Sequence, residues 1–183
     1  MINSHSKNRQ SGIYAIEFAL ITTVICLILI FSFQAVASLS IKGQLERLSF
    51  SLVSILRERT QLYNGNYTLT QPEANALYTI AQNSLNRTLS GYDDSNFGAV
   101  IEGLTFDSSK PPVGTPTRFE LGSYHCNVPR DIASYQNLSV VTTWGRQAPL
   151  YRVTLCYKGV NYFALLHAGN YRRVEASSYS IGR

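Results

Sequence analysis

The sequence is poor in the groups from which enzymes are built. It has three histidines and three cysteines in 183 residues, and only 15% of its residues are charged. No glycine-rich phosphate loop follows a predicted strand, no Gly-x-Ser-x-Gly elbow occurs and no His-Glu-x-x-His pair is present, so nucleotide hydrolysis, serine-esterase chemistry and helix-borne zinc hydrolysis lack their machinery. His125 beside Cys126, with Cys156 and His167 further on, is a two-Cys, two-His set whose spacing matches no compact zinc knuckle. No metal or other cofactor is therefore expected. Asp93 and Asp94 beside Tyr92 are two carboxylates where calcium needs roughly six to eight oxygens. The formal charge of +5 is small and scattered, which argues against a nucleic-acid partner. Internal repeats and low-complexity tracts are missing too, and the length suits one anchor segment and one compact domain.

What the chain does have is a long apolar run near its start. A polar leader ending Lys7, Asn8, Arg9, Gln10, Ser11, Gly12 turns at once into Ile13, Tyr14, Ala15, Ile16, Glu17, Phe18, and the run continues to Phe33. From Ile13 to Ala37 a helix would reach about 37 Å, enough to span a bilayer. Lys7 and Arg9 just before it predict a cytoplasmic N-terminus, with the remainder of the chain carried across the membrane. Glu17 is the odd residue, because an unpaired carboxylate in such a segment costs a few kcal/mol and signals a function. A secretory signal peptide is the rival reading, with Ala35, Val36, Ala37 before Ser38 as its cleavage site. Against it stand the length of the run and Glu17, which has no task in a signal peptide.

The stretch Gly12, Ile13, Tyr14, Ala15, Ile16, Glu17, Phe18, Ala19, Leu20 resembles the class III signal of type IV pilins, and more closely that of the TadE/TadF pseudopilins of bacterial Flp/Tad pili. The run Leu52 to Tyr63 resembles TadF in particular. The resemblance implies cleavage by a prepilin peptidase between Gly12 and Ile13, and an assembly role for Glu17 and Phe18, in which Glu17 meets the freed amino group of Ile13 on a neighbouring subunit. It also implies residence in the inner membrane, with other Tad pilins, the Flp major pilin and the inner-membrane assembly platform as partners, and no catalytic activity. A membrane-anchored or secreted adhesion domain outside any pilus is the alternative.

The rest of the chain predicts an α+β, pilin-like fold. Residues 1–12 form the leader, 13–37 the membrane helix, 38–63 its amphipathic continuation and 64–183 the extracytoplasmic domain. Ile41, Leu45, Leu48, Leu52, Ile55 and Leu62 follow a heptad seam, suited either to the protein's own sheet or to a partner helix. Tyr63 to Asn66 supplies a stop. Thr70, Gln71, Pro72, Glu73 opens a second helix with a capping box, and Gly91 closes it. Strands are expected at 99–106, at 118–124, at 140–144, at 151–157 as a half-buried strand, and more weakly at 171–181, with 162–166 as a hairpin partner and 110–116 as a loop. Cys26 lies in the apolar run as a small buried hydrophobe, which leaves Cys126 and Cys156 to pair in an oxidising compartment, Cys156 pointing away from Tyr151, Val153, Leu155 and Tyr157.

Overall fold

The computed structural model describes residues 7–58, 67–107, 114–159 and 173–182, with side chains from Gly12 onward. Helix α1 is a single 51-residue element, Lys7–Arg57, and the chain divides into two units between Leu39 and Ser40. In the first unit α1 buries nothing: Ile16, Phe18, Leu20, Ile28 and Phe31 are all more than half exposed. It is the one described helix long and apolar enough to cross a membrane. Its polar residues are adapted to that setting. The hydroxyls of Thr22, Thr23 and Ser32 each donate 2.8 Å bonds to the carbonyls of Phe18, Ala19 and Ile28, one turn back, so these three hydroxyls are paired within the helix. Cys26 is exposed on this surface and is not a core residue, because no described residue covers it.

In the second unit α1 becomes amphipathic. Leu45, Leu52, Val53 and Leu56 are buried and Ile41 and Leu48 pack against them, while Ile55 is 41% exposed. The buried set follows the 3.6-residue period of a helix lying on a sheet and not the 3.5 of the predicted seam, so Leu56 replaces Ile55. Of the two surfaces open to this stripe, it meets the protein's own sheet. Ser49, also buried, shares a 2.8 Å hydrogen bond with Ser178. The predicted stop at Tyr63 to Asn66, together with Leu62, lies outside the described residues.

Helix α2, Gln71–Thr88, starts where the capping residues predict. The Glu73 carboxylate accepts from the Thr70 backbone N–H at 2.8 Å and from its hydroxyl at 2.6 Å. Pro72 sits in the first turn, where its missing N–H costs nothing. Ala74, Leu77, Ala81 and Leu85 form the buried face. The helix ends at Leu89, and Gly91, at φ +73°, turns the chain towards the sheet.

Four strands, β1 (Phe97–Phe106), β2 (Gly114–Gly122), β3 (Leu150–Lys158) and β4 (Arg173–Ile181), form an antiparallel sheet in the order β2-β1-β3-β4. One face carries Phe97, Ala99, Ile101, Tyr151, Val153, Leu155, Tyr157 and Ala176 into a single core with α1 and α2. On the other, Leu104 and Leu150 form a small second core with Ile132, from the 3-10 helix Ile132–Leu138. The result is α+β, as the pattern of elements predicts.

Several expectations are corrected. β3 is buried on both faces from Leu150 to Tyr157, because segment 123–138 covers the side that alternation assigned to water. Residues 114–116 belong to β2; that strand is an edge, where Pro116 removes no ladder bond a neighbour requires. The run 140–144 is no strand: a single bridge joins Val141 to Gln147 around a tight turn at Gly145, φ +71°. β1 begins at Phe97, two residues early. The predicted hairpin partner at 162–166 lies outside the described residues; β3 instead pairs with β1 and β4.

Candidate functional site

Gly12, Ile13, Glu17 and Phe18 all lie within α1, and the helix starts at Lys7, ahead of the expected boundary at Gly12. Lys7 and Arg9 belong to its first two turns. The Gly12–Ile13 peptide bond is thus held inside a helix, its carbonyl committed to the backbone ladder. A Cβ at Gly12 would meet nothing within 4 Å, so packing in the chain does not require glycine there. Ile13 and Phe18 are 57% and 72% exposed, and Glu17, one turn after Ile13 on the same face, is exposed as well. No described residue holds Glu17 by a hydrogen bond or ion pair. The arrangement is a carboxylate in an apolar surface, one turn from a glycine that makes the helix locally easier to unwind by about 1 kcal/mol relative to alanine.

The second unit contains a charged constellation that periodicity did not reveal. Register puts Arg118, Glu102, Arg152 and Tyr179 side by side across all four strands, on the face away from the helices. Glu102 and Arg152 are fully buried and form a close ion pair. Arg118 Nη1 stands 3.6 Å from Glu102 Oε1. Arg152 donates to the Arg130 carbonyl at 2.7 Å, and its guanidinium lies 5.6 Å and 5.7 Å from the ring centres of Tyr135 and Tyr179. Burial pushes the Glu102 carboxyl above its usual range, against the opposing pull of Arg152 and Arg118. Through the Arg130 carbonyl the pair fastens segment 123–138 to the sheet. The signal in the sequence is a lone acid between Ile101 and Gly103 in an apolar strand.

Cys126 and Cys156 are joined by a disulfide, Cα atoms 5.5 Å apart, and Cys156 points away from the main core. Each thiolate is used up by the other, so the two-Cys, two-His set cannot bind zinc; His125 is exposed and His167 lies outside the described residues. The covering segment runs so close to β1 that a Cβ on Gly98 would fall 1.7 Å from the Tyr124 carbonyl oxygen. Asp93 accepts from the Ser95 N–H and hydroxyl and from the Asn96 amide, bonds that lower its pKa and commit it to a local turn and not to calcium.

No curated protein and no solved structure matches the chain. The model of one family, described as tight adherence pilin protein F, matches residues 5–183 and so takes in both the apolar helix and the α+β unit. With that match over nearly the whole length, the chain belongs to the TadF family and is a pilin-like protein associated with the Tad pilus.

Proposed function

We propose that the chain is a minor pilin-like subunit required for assembly of a Flp/Tad adhesion pilus and matured by a prepilin peptidase that cuts between Gly12 and Ile13. It acts without catalysis, held in the inner membrane by α1 with Lys7 and Arg9 on the cytoplasmic side and the α+β unit in the periplasm. Residues 13–37 make the span, 38–63 its extension and 64–183 the exported domain. Its partners are the peptidase, the TadE-like and major Flp pilins, the assembly platform and membrane lipid.

The observation that carries this reading is Glu17, an exposed carboxylate on an apolar helix without a described partner. In hydrocarbon that carboxylate is costly until a cation reaches it, and the amino group freed at Ile13 of an adjoining subunit is such a cation. Subunits out of register leave both charges unpaired, so the pair selects one stagger. Gly12 supports the cleavage site, since a residue that nothing in the chain crowds still lowers the cost of unwinding the helix for a protease.

Mass spectrometry of the protein from pilus-forming cells should find Ile13 at the mature N-terminus. Ser38 there would mean simple secretion, and Met1 an uncut anchor. Glu17→Ala should be cut normally yet fail to support piliation; normal pili in that strain remove the role assigned to Glu17.

A further inference from the structure

Residues 139–149 form a tight loop closed by the Val141–Gln147 bridge, and its tip carries the chain's only tryptophan, Trp144, 88% exposed. The turn beneath it is closed by backbone hydrogen bonds. The Thr142 N–H donates to the Arg146 carbonyl at 2.7 Å, the Gly145 N–H to the Thr142 carbonyl at 2.9 Å and the Ala148 N–H to the Val140 carbonyl at 2.9 Å. An indole this exposed contributes nothing to the core, and its apolar face is open to a ligand.

Trp144 lines an open cleft of about 1020 Å³, at the upper end of the ~300–1,000 Å³ usual for small-ligand sites. Among the described residues the walls also include Tyr67, Phe106, Asp107, Arg146 and Gln147. The walls are anchored: the Tyr67 carbonyl accepts from the Tyr151 hydroxyl at 2.9 Å, and Phe106 packs on the small core of Leu104, Ile132 and Leu150. Three rings thus stand with a guanidinium and an amide, planar groups that can each engage two neighbouring hydroxyls. One acid and one base leave the described lining without net charge, which suits an uncharged ligand.

We propose that this cleft binds a neutral oligosaccharide, with an equatorially substituted pyranose laying its flat C–H face on Trp144 while Arg146 and Gln147 hold its hydroxyls. Such a ring has one apolar face and a polar rim, which is the complement of an indole bordered by hydrogen-bonding planes. The proposal does not depend on the pilus reading.

The test uses the full-length chain in phosphocholine micelles, which avoid sugar-headed detergents, with chitopentaose as the probe. A single tryptophan gives a single indole N–H resonance when that residue is labelled with nitrogen-15. Titration to about 10 mM should shift it saturably, and saturation transfer from protein to sugar should fall about tenfold or more in Trp144→Ala while the amide spectrum of the sheet is unchanged. Gln147→Ala should weaken binding less. An indole signal that does not move, transfer that survives in Trp144→Ala, or a shift produced by protein concentration alone, marking a second copy as the occupant, each overturns the proposal.

Discussion

Arg152→Met removes the cation from a fully buried carboxylate while keeping most of the side chain's bulk. Breaking a buried pair from one side costs about 3–5 kcal/mol, because the survivor stays desolvated. Here Arg118, 3.6 Å from Glu102 and about one third exposed, retains part of the counter-charge, which points to the lower end, about 3 kcal/mol at pH 7. Against a domain stability of about 5–15 kcal/mol that is a severe but survivable loss. The pH dependence identifies the cause. Burial already holds the folded Glu102 carboxyl above its reference value of 4.5, and losing Arg152 raises it further. A folded acid with a raised pKa binds a proton more readily than the unfolded chain does, so stability falls as pH rises through the gap between the two values and returns below it. The deficit should therefore shrink as pH drops from 7 towards 5, and Glu102→Gln in the same background should recover much of it at pH 7. Urea unfolding of the full-length protein in micelles, followed by tyrosine near-ultraviolet circular dichroism, measures both. A loss under about 1 kcal/mol, or one that ignores pH, refutes the assignment of a buried, Arg152-dependent charge.

Gly98→Ala would drive a methyl group into the Tyr124 carbonyl oxygen, and segment 123–131 must lift; a loss of about 1–3 kcal/mol and slower closure of the Cys126–Cys156 bridge are expected, read by urea midpoint and thiol labelling. Leu56→Ala should cost about 2–5 kcal/mol and Ile55→Ala under about 1, since the first is 3% exposed and the second 41%. The reverse order in the same unfolding assay would mean that the heptad seam, not the sheet-facing stripe, stabilises the domain.

The helices were the most legible part of the chain, because their signals are local. A capping pair at Thr70 and Glu73 and a 3.6-residue stripe need no knowledge of distant partners. The strands were legible only where side chains alternate. The run 140–144 has strand-forming residues but no neighbour to pair with beyond one bridge, and propensity without a partner does not make a strand. β3 was recognised and its burial misjudged, because Arg152, Thr154 and Cys156 look solvent-facing until Glu102, Ser177 and Cys126 are known to meet them. For the head of α1 the residue types were readable from the spacing of Gly12 and Glu17, whereas the start of the helix at Lys7 was not, because the polar residues 7–11 carry no periodic signal. The cleft beside Trp144 was invisible for a similar reason: its walls come from separate loops that only the fold brings together.

The row of Arg118, Glu102, Arg152 and Tyr179 bears on how the sheet chooses its alignment. Sliding β1, β2 or β3 by a single position would turn its charged member over, pointing a guanidinium or carboxylate at the core of Leu52, Leu77 and Phe97. A slip of two positions would keep apolar side chains on the core face, yet it would part the buried charges at a cost of about 3–5 kcal/mol. An ion pair that adds little to the depth of the native well can in this way ensure that there is only one well to fall into.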